Sequence, residues 1–309
     1  MILLTGGFGF LGASLSFYLA NRGEKIMVTD TRVDHIPGFL QPLVGKTIQI
    51  ERCDVLDTSG LFYLLRNNPV KSIIHMAAIH EGKGYLNECL RLNVDGTINV
   101  LEACRIMDIE RLTFISSQSV YHRTLERVHR EDEDFPLESH SFISLTKKAG
   151  EMICDYYRKK FGLNITTVRP SQLYGPLYSS GLFPLQRMIE NAIDNQPINL
   201  PDVDPESGDT LTYVKDCARA VGLAHLAKTP KYRVYNIGVE FVTYGQMAEV
   251  TKQFLPHAQI TLGSADKDNK REPIHLNMDR FREEFGFAPE FDFETGVKEY
   301  IQWLQDGKY

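Results

Sequence analysis

The sequence predicts an α/β fold, in which a doubly wound parallel sheet is followed by a smaller C-terminal substrate lobe. Two observations predict this class. Short apolar runs alternate with helical runs as far as about residue 170, which is typical of a parallel sheet covered by helices. A glycine-rich turn at residues 6–12 also separates the first apolar run from the first helical run. Strand, glycine turn, helix and second strand together form a dinucleotide-binding βαβ unit.

Each glycine of this turn has its own task. Gly6 permits the sharp exit from the strand, and Gly9 lets backbone amides approach a diphosphate because it has no Cβ. Gly12 lets the following helix pack close to the sheet. The diphosphate would then lie at the positive N-terminus of the helix, beside Phe10 and Leu11.

Asp30 ends the second predicted strand. A carboxylate in this position accepts hydrogen bonds from both ribose hydroxyls and repels a 2′-phosphate, so the predicted cofactor is NAD. Arg32 lies nearby and keeps NADP open as the alternative.

Two later strand ends extend the predicted cofactor site. Asp54 follows the strand at 47–50, where an adenine amino group could donate to its carboxylate. The alternative for Asp54 is a helix N-cap, a role that Asp57 fits more plainly, ahead of a helix at 59–67. Ala77 and Ala78 follow the strand at 70–75 and are small enough for the cofactor to pass closely.

The predicted elements continue with a helix opening at residue 92, a strand at 112–115, a helix that contains Lys147 and a strand at 163–168. Ser116 and Ser117 follow the strand at 112–115, at the edge where such sheets bind substrates. Past residue 170 come a loop at 171–176, a helix at 183–195, an acidic loop at 202–208 and a last strand at 233–238. We therefore predict a Rossmann domain at 1–170 with a returning segment at about 211–238, and a substrate-binding lobe at 171–210 and 239–309.

Composition narrows the partners. A net charge of −6 gives no reason to expect nucleic acid or an anionic membrane as a partner. The five cysteines lie apart, without a CxxC pair, so we expect buried thiols in a reducing compartment and no metal site. Neither a signal peptide nor an apolar run long enough to span a membrane is visible, and we expect a cytoplasmic protein.

Taken together, the motifs resemble those of the extended short-chain dehydrogenase/reductase family, the NAD-dependent epimerases and dehydratases, whose best-known members act on nucleotide sugars. The likeness covers nearly the whole chain. Its motifs are Thr-Gly-Gly-x-Gly-x-x-Gly at 5–12, Asp54-Val55, Ala77-Ala78, Asn93-Val94-x-Gly-Thr, Ser116-Ser117-x-x-Val-Tyr, Thr146-Lys147, Arg169-Pro170, Tyr174-Gly175-Pro176, Tyr213-Val214-Lys215-Asp216 and Tyr235-Asn236-Ile237-Gly238.

The resemblance implies NAD as cofactor, a sugar or nucleotide sugar as substrate, and a homodimer. It implies a cofactor site formed by Gly6, Gly9, Phe10, Leu11, Gly12, Asp30, Asp54, Val55, Ala77, Ala78, Asn93 and Lys147. It implies that Ser117 and Lys147 are catalytic, Ser117 on the reacting hydroxyl and Lys147 on the nicotinamide ribose. It implies substrate contacts from Ser117, Gln118, Gln172, Arg187 and Arg271. The dimer would pair the helices that begin near Asp95 and Thr146, although their apolar periodicity fits burial against the protein's own sheet equally well.

One departure from the family concerns the proton carrier. The family uses a tyrosine four residues before the lysine, and Ile143 occupies that position here. Isoleucine has no proton to exchange. Ser144 would point about 100° around the helix and is a poor base without help. His140 titrates near neutrality, but an exposed loop histidine is the plainer interpretation.

A second departure concerns the substrate. Asp209 stands where nucleotide-sugar members carry an arginine for the diphosphate, so Arg187, Arg219 or Arg271 would have to supply the positive charge. Gln118-Ser119 replaces the Asp-Glu pair of the 4,6-dehydratases, which argues against ordinary dehydration. Two functions follow as hypotheses: an NAD-dependent epimerase-like enzyme with an atypical acid/base, or an inactive NAD-binding regulator or scaffold.

Overall fold

The computed structural model describes residues 1–79, 85–121, 128–139, 141–179, 181, 183–263 and 275–307. The strands are β1 (Ile2–Thr5), β2 (Ile26–Asp30), β3 (Ile48–Arg52), β4 (Ser72–His75), β5 (Arg111–Ile115), β6 (Val128–His129), β7 (Ile165–Pro170), β8 (Gln172–Tyr174), β9 (Ile198–Leu200), β10 (Gly208–Tyr213), β11 (Val234–Ile237), β12 (Glu240–Thr243), β13 (Ile260–Leu262) and β14 (His275–Leu276). The helices are α1 (Phe10–Asn21), α2 (Thr58–Asn67), α3 (Leu86–Leu90), α4 (Gly96–Ile106), α5 (Phe142–Phe161), α6 (Pro184–Ile193), α7 (Val214–Leu226), α8 (Tyr244–Phe254), α9 (Asp279–Phe285) and α10 (Phe293–Gln305). None of these helices combines the length and apolar composition that crossing a bilayer requires.

Seven strands form a parallel sheet in the order β11-β7-β5-β4-β1-β2-β3. The chain builds outward from β1 to β3, then returns to place β4 on the other side of β1. The strand order therefore reverses between β1 and β4, and open α/β sheets bind ligands at the carboxyl ends of strands at such a reversal. The predicted doubly wound parallel sheet is confirmed.

Helices cover both faces of this sheet. On one face α1 and α7 pack together over a core that includes Leu15, Leu19 and Val221. On the other face α2, α4 and α5 pack over a core that includes Leu101 and Cys154. Strands buried on both faces read as continuous apolar runs, which is why the sequence predicted them.

A second, smaller sheet has the order β12-β10-β8, with β10 parallel to β8 and antiparallel to β12. Around it α6, α8 and α10 enclose a separate apolar core that includes Leu185, Met247 and Val297. Between β10 and β12 the chain returns to the large sheet through α7 and β11, and β11 pairs with β7. The division into a cofactor domain and a substrate lobe stays a prediction.

Several elements differ from the sequence prediction, among them the strands β6, β9 and β10, which were not predicted. The segment Gln172–Tyr174 was predicted as loop but forms β8, because its partner β10 lies far along the chain and so short a strand shows no period of its own. The helix predicted to open at Leu92 begins at Leu86 and passes through a π-helical turn, Arg91–Asp95, into α4. Strand β11 is not the last one, since β12, β13 and β14 follow it.

Several motif residues form a buried polar network inside the sheet. Arg169 on β7 donates from Nε to Glu151 Oε1 at 2.9 Å and from Nη2 to Oε2 at 2.7 Å. The Arg169 Nη1 also donates to the Tyr121 hydroxyl at 2.5 Å, and that hydroxyl donates to Asn236 Oδ1 at 2.9 Å. The Ser116 hydroxyl donates to Glu151 as well. These residues therefore join β5, β7, β11 and α5 rather than facing a ligand.

Candidate cofactor and substrate site

The glycine cradle, the turn before α1, requires glycine at positions 6 and 12. Gly6 has a φ of +68°, and a Cβ built on it would lie 2.9 Å from the Cα of Ala77. A Cβ on Gly12 would collide with the Gly6 carbonyl, so the close approach that Gly12 permits is between α1 and the turn itself. A Cβ on Gly9 would meet only the Gly6 carbonyl oxygen, at 3.2 Å. Gly9 therefore keeps its outer side open to a ligand.

The N-terminus of α1 fits an anion. Its N-cap is Gly9, which has no side chain to cap the helix, and the first turn contains no acidic residue. The first-turn amides are therefore left for a ligand, as in a diphosphate-binding helix. Phe10 is half-buried, whereas the Leu11 side chain lies in the apolar core, so Leu11 has only its backbone to offer. The residues present fit the diphosphate of a dinucleotide.

Asp30 and Asp54 lie at the carboxyl ends of β2 and β3, which are neighbours in the sheet. Asp30 Oδ1 accepts from the backbone amide of Arg32 at 3.2 Å, and the Arg32 side chain is exposed. Asp54 is exposed and accepts from the Leu56 amide at 2.9 Å. Asp57, not Asp54, caps α2 by accepting from the Gly60 amide, so the N-cap prediction is confirmed. Contact of Asp30 and Asp54 with the adenosine half of NAD stays a prediction.

The hydrophobic residue after Asp54 plays a packing role. Val55 is buried, and a Cβ built on Gly96 of α4 would lie 2.8 Å from Val55 Cγ2. The Val55 carbonyl accepts from Asn99 Nδ2 at 2.9 Å. This contact fixes the loop after β3 against α4, beside the predicted adenine position.

A buried histidine supports the loop that carries the two alanines. His75 Nδ1 lies 2.7 Å from the Thr5 hydroxyl, and Nε2 lies 3.1 Å from the Thr97 hydroxyl. Burial, with a smaller effect of the Lys147 ammonium, lowers the pKa of His75 to about 3, so its ring is neutral at pH 7. Thr5 also accepts from the Ala77 amide at 3.3 Å. This network holds Ala77, with Ala78 behind it, against Gly6.

The Asn93 amide is occupied within the protein. Its Oδ1 accepts from the Ile79 amide at 2.9 Å, and its Nδ2 donates to the Ile79 carbonyl at 3.0 Å and to the Thr146 hydroxyl at 3.1 Å. Asn93 thus ties the loop after β4 to α5. We therefore interpret it as a positioning residue for the cofactor site, whereas direct contact with the cofactor stays a prediction.

Ser117 follows the end of β5, and Lys147 reaches the same strand end from α5. Ser117 is half-buried, and its Oγ accepts from the Ser119 amide at 3.1 Å. Lys147 is buried on α5, with its Nζ donating to the Ile115 carbonyl at 2.7 Å and lying 5.1 Å from the centre of the Phe114 ring. Burial lowers the pKa of Lys147 to about 8, against smaller opposing effects of Cys154 and Glu151. An ammonium and a hydroxyl therefore share one strand end.

The position that would carry the tyrosine is apolar. Ile143 is half-buried on α5, one turn before Lys147. The next residue, Ser144, is fully buried, and its hydroxyl donates to the Ser119 carbonyl at 2.7 Å. That hydroxyl is committed to the backbone and does not serve as a proton carrier in this arrangement. His140, the other predicted carrier, lies outside the described residues.

Of the other predicted substrate residues, Gln118 directly follows Ser117 and is buried. Its Nε2 donates to Asp209 Oδ1 at 3.0 Å, which connects the end of β5 to β10 of the smaller sheet. Gln172 donates at 3.2 Å to both the Leu173 carbonyl and the Tyr178 hydroxyl.

Two of the three predicted arginines, Arg187 and Arg219, lie within the described residues. Arg187 is exposed on α6, and Arg271 lies outside the described residues. Arg219 donates to Asp216 Oδ1 at 3.0 Å and to the Ala288 carbonyl. The Arg219 guanidinium thus holds α7 to the segment before α10, and its supply of charge for a diphosphate stays a prediction.

Sequence reasoning missed Tyr178. Its ring packs edge-on against Phe10 of the glycine turn, with the ring centroids 5.1 Å apart. The segment after β8 thus reaches the cofactor cradle. No signal marked this residue, because it follows a Gly-Pro turn without any periodic pattern.

Comparison with known proteins assigns the family. The model of the NAD-dependent epimerase/dehydratase family matches residues 2–238, well over half of the chain. The chain belongs to this family. NAD is the cofactor that the family's description names, in agreement with the cradle described above.

Curated relatives of the family match along nearly the whole chain. A putative UDP-glucose 4-epimerase of Methanocaldococcus jannaschii is 27% identical, over 99% of this chain and 99% of its own. UDP-glucuronate 4-epimerase 1 of Arabidopsis thaliana is 26% identical, over 98% of this chain and 76% of its own.

A solved structure shows the same fold. The UDP-glucuronic acid 4-epimerase of Bacillus cereus, in complex with UDP-glucuronic acid and NAD, has a TM-score of 0.86 at 23% identity, over 99% of both chains.

Proposed function

We propose that this chain binds NAD and a nucleotide sugar and acts as an epimerase-type enzyme with an atypical proton carrier. The observation that supports it most is the shared position of Ser117 and the buried Lys147 at the carboxyl end of β5, beside a glycine cradle suited to a dinucleotide. The relatives that are UDP-glucose and UDP-glucuronate 4-epimerases support the substrate class. In this proposal residues 1–170, with a returning segment at about 211–238, hold NAD, and 171–210 with 239–309 hold the sugar.

The residues of this chain would divide the work as follows. NAD, when bound, supplies a hydride acceptor. The Ser117 hydroxyl would hydrogen-bond the reacting sugar hydroxyl and hold it for proton removal. The Lys147 ammonium would donate to the nicotinamide ribose, and its positive charge would favour negative charge developing at the reacting oxygen. The five cysteines are free thiols, which supports a reducing, cytoplasmic setting.

Turnover with a panel of nucleotide sugars tests this function. We expect the NAD-loaded chain to convert UDP-glucose or a related UDP-sugar. Chromatography of the products measures this conversion. Lys147→Met removes the ammonium and keeps the length of the side chain, and it should lower turnover at least about a hundredfold. Because the pKa of Lys147 is about 8, turnover should also fall as the pH rises above that value and the ammonium is lost.

A second function has its own support. Ile143 is apolar, and the neighbouring Ser144 hydroxyl donates to the Ser119 carbonyl. An NAD-binding regulator without turnover needs no proton carrier at either position. Tight NAD binding with no conversion across the panel would favour this alternative. Unchanged turnover in Lys147→Met would instead reject the family mechanism for this chain.

A further inference from the structure

The pair Gln118 and Asp209 joins the two sheets at the candidate site. Gln118 directly follows Ser117 and is 7% exposed. Asp209 comes from β10, where it lies opposite Val242 of β12. The bond between them, at 3.0 Å, is therefore a contact between the large sheet's carboxyl edge and the smaller sheet.

Asp209 determines which way the Gln118 amide points. A carboxylate is an acceptor, so the amide must turn its NH₂ group towards it, because an amide oxygen there would place two acceptors together. The Gln118 Oε1 must then face away from Asp209. That oxygen is buried and has no hydrogen-bond donor among the residues that the structure describes.

A buried acceptor without a donor is unfavourable, and native proteins contain few of them. At the carboxyl end of a central strand, next to the residue that would hold the reacting hydroxyl, a ligand can supply the missing donor. The neighbouring Ser119 hydroxyl is also buried without a partner, but a hydroxyl can donate or accept and does not discriminate. Gln118 Oε1 can only accept.

We propose that Gln118, oriented by Asp209, is a specificity-determining residue that accepts a hydrogen bond from a sugar hydroxyl or amino group and disfavours a sugar carboxylate. A carboxylate would face the amide oxygen without a proton to donate, which leaves two acceptors together. This inference rests on the proposed function. It selects neutral and amino sugars over uronates within the nucleotide-sugar class.

Two matched probes test the inference. UDP-glucose and UDP-glucuronate share their nucleotide and differ in a hydroxymethyl group against a carboxylate. Isothermal titration of the NAD-loaded full chain should give a Kd for UDP-glucose at least about tenfold lower than that for UDP-glucuronate.

Three variants assign this preference to the pair. Asp209→Asn removes the charge at nearly constant shape, and it should shrink the ratio of the two dissociation constants to within about threefold. Gln118→Met keeps an unbranched side chain without the acceptor. It should raise the Kd for UDP-glucose about tenfold and leave the affinity for NAD unchanged. Asp194→Asn removes an exposed charge at the end of α6 and should leave the ratio as it was. Circular dichroism of each variant checks that it has folded.

The outcomes separate the two proposals. If neither UDP-sugar binds the folded, NAD-loaded chain, the proposed function fails and this inference fails with it. If both bind but UDP-glucuronate binds as tightly as UDP-glucose, or if Asp209→Asn leaves the ratio unchanged, the inference is overturned while the proposed function stands.

Discussion

At the scale of single residues, charge placement decides what the site can hold. Asp30 puts a carboxylate at the end of β2, with one oxygen already accepting from the Arg32 amide. We propose that its other oxygen accepts from ribose hydroxyls and that its charge opposes a 2′-phosphate. At the opposite end of the site Ile143 removes a proton carrier, and Lys147 remains as a buried ammonium.

The selectivity of Asp30 can be measured directly. We expect NAD to bind more tightly than NADP. Asp30→Ala should reduce the ratio of the two dissociation constants about tenfold, because both the hydrogen bonds to the ribose and the repulsion of the 2′-phosphate are lost. Titration of both cofactors into both proteins gives the four affinities. Asp34→Ala, on an exposed residue of the following loop, is the control. Equal affinity for the two cofactors in the unmodified chain would contradict this role.

A matched pair of variants at residue 143 tests whether the missing tyrosine limits turnover. Ile143→Phe adds bulk without a proton, and Ile143→Tyr adds similar bulk with a phenol. If another group carries the proton, both should lower turnover by a similar factor, below about tenfold, through crowding alone. Single-turnover rates on a converted UDP-sugar provide the comparison. A large increase in the turnover rate of Ile143→Tyr alone would mean that the unmodified chain lacks a working proton carrier.

At the scale of elements, two buried histidines tie strands to helices. His75 on β4 bonds Thr97 of α4, as described above. His225 on α7 lies 2.9 Å from the Thr113 hydroxyl of β5 and 2.8 Å from the Ser72 hydroxyl of β4. Burial, with a smaller effect of Arg111, lowers the pKa of His225 to about 3. Both rings are therefore neutral in the folded chain across the physiological range.

This arrangement makes stability depend on pH in one direction. The folded pKa values of about 3 lie below the unfolded value of about 6.5, so the unfolded chain binds more protons between them. Stability is full above about pH 6.5 and falls as the pH drops, by about 1.4 kcal/mol per pH unit for each histidine.

Urea unfolding between pH 7 and pH 5 measures this slope. His225→Asn should lower stability at pH 7, because it breaks the bonds to Thr113 and Ser72, yet it should reduce the slope by about 1.4 kcal/mol per pH unit. His35→Asn, on an exposed loop residue, should leave the slope unchanged. A slope in His225→Asn equal to that of the unmodified chain would show that this ring titrates normally.

At the scale of the whole molecule, α3 and α5 present apolar side chains to the outside. Leu86 and Leu90 on α3 are exposed, and so are Leu145, Met152 and Tyr156 on α5, with Met152 68% exposed. On α4, the helix that begins near Asp95, most apolar side chains are buried in the protein's own core, which was the alternative to a dimer. We propose that a second copy of the chain covers the exposed apolar surface of α3 and α5.

Light scattering of point variants tests the dimer. At micromolar concentration, the particle that the unmodified protein forms in solution should have twice the mass of a single 309-residue chain. Met152→Glu places a charge in the centre of the proposed interface and should yield monomers. Tyr63→Glu, on an exposed residue of α2 away from these helices, should leave the mass unchanged. A monomeric unmodified chain would reject the assembly.

The sequence by itself determined the large sheet, the glycine cradle and the positions of Asp30, Ser117 and Lys147. These features are local, because an apolar run, a turn that needs glycine and a residue at a strand end can each be recognised within a few neighbours. The same applies to Asp57, whose capping bond reaches only three residues along the chain.

Only the tertiary structure decided which predicted residues are free to meet a ligand. Asn93 matches its motif and Arg219 carries the right charge, yet both side chains donate hydrogen bonds to other parts of the protein, including Thr146 of α5 and the Ala288 carbonyl. The contacts between Gln118 and Asp209 and between Phe10 and Tyr178 join segments that are far apart in the chain. Such pairings leave no local period, because long-range packing creates them, and packing also decides which buried oxygen is left without a donor.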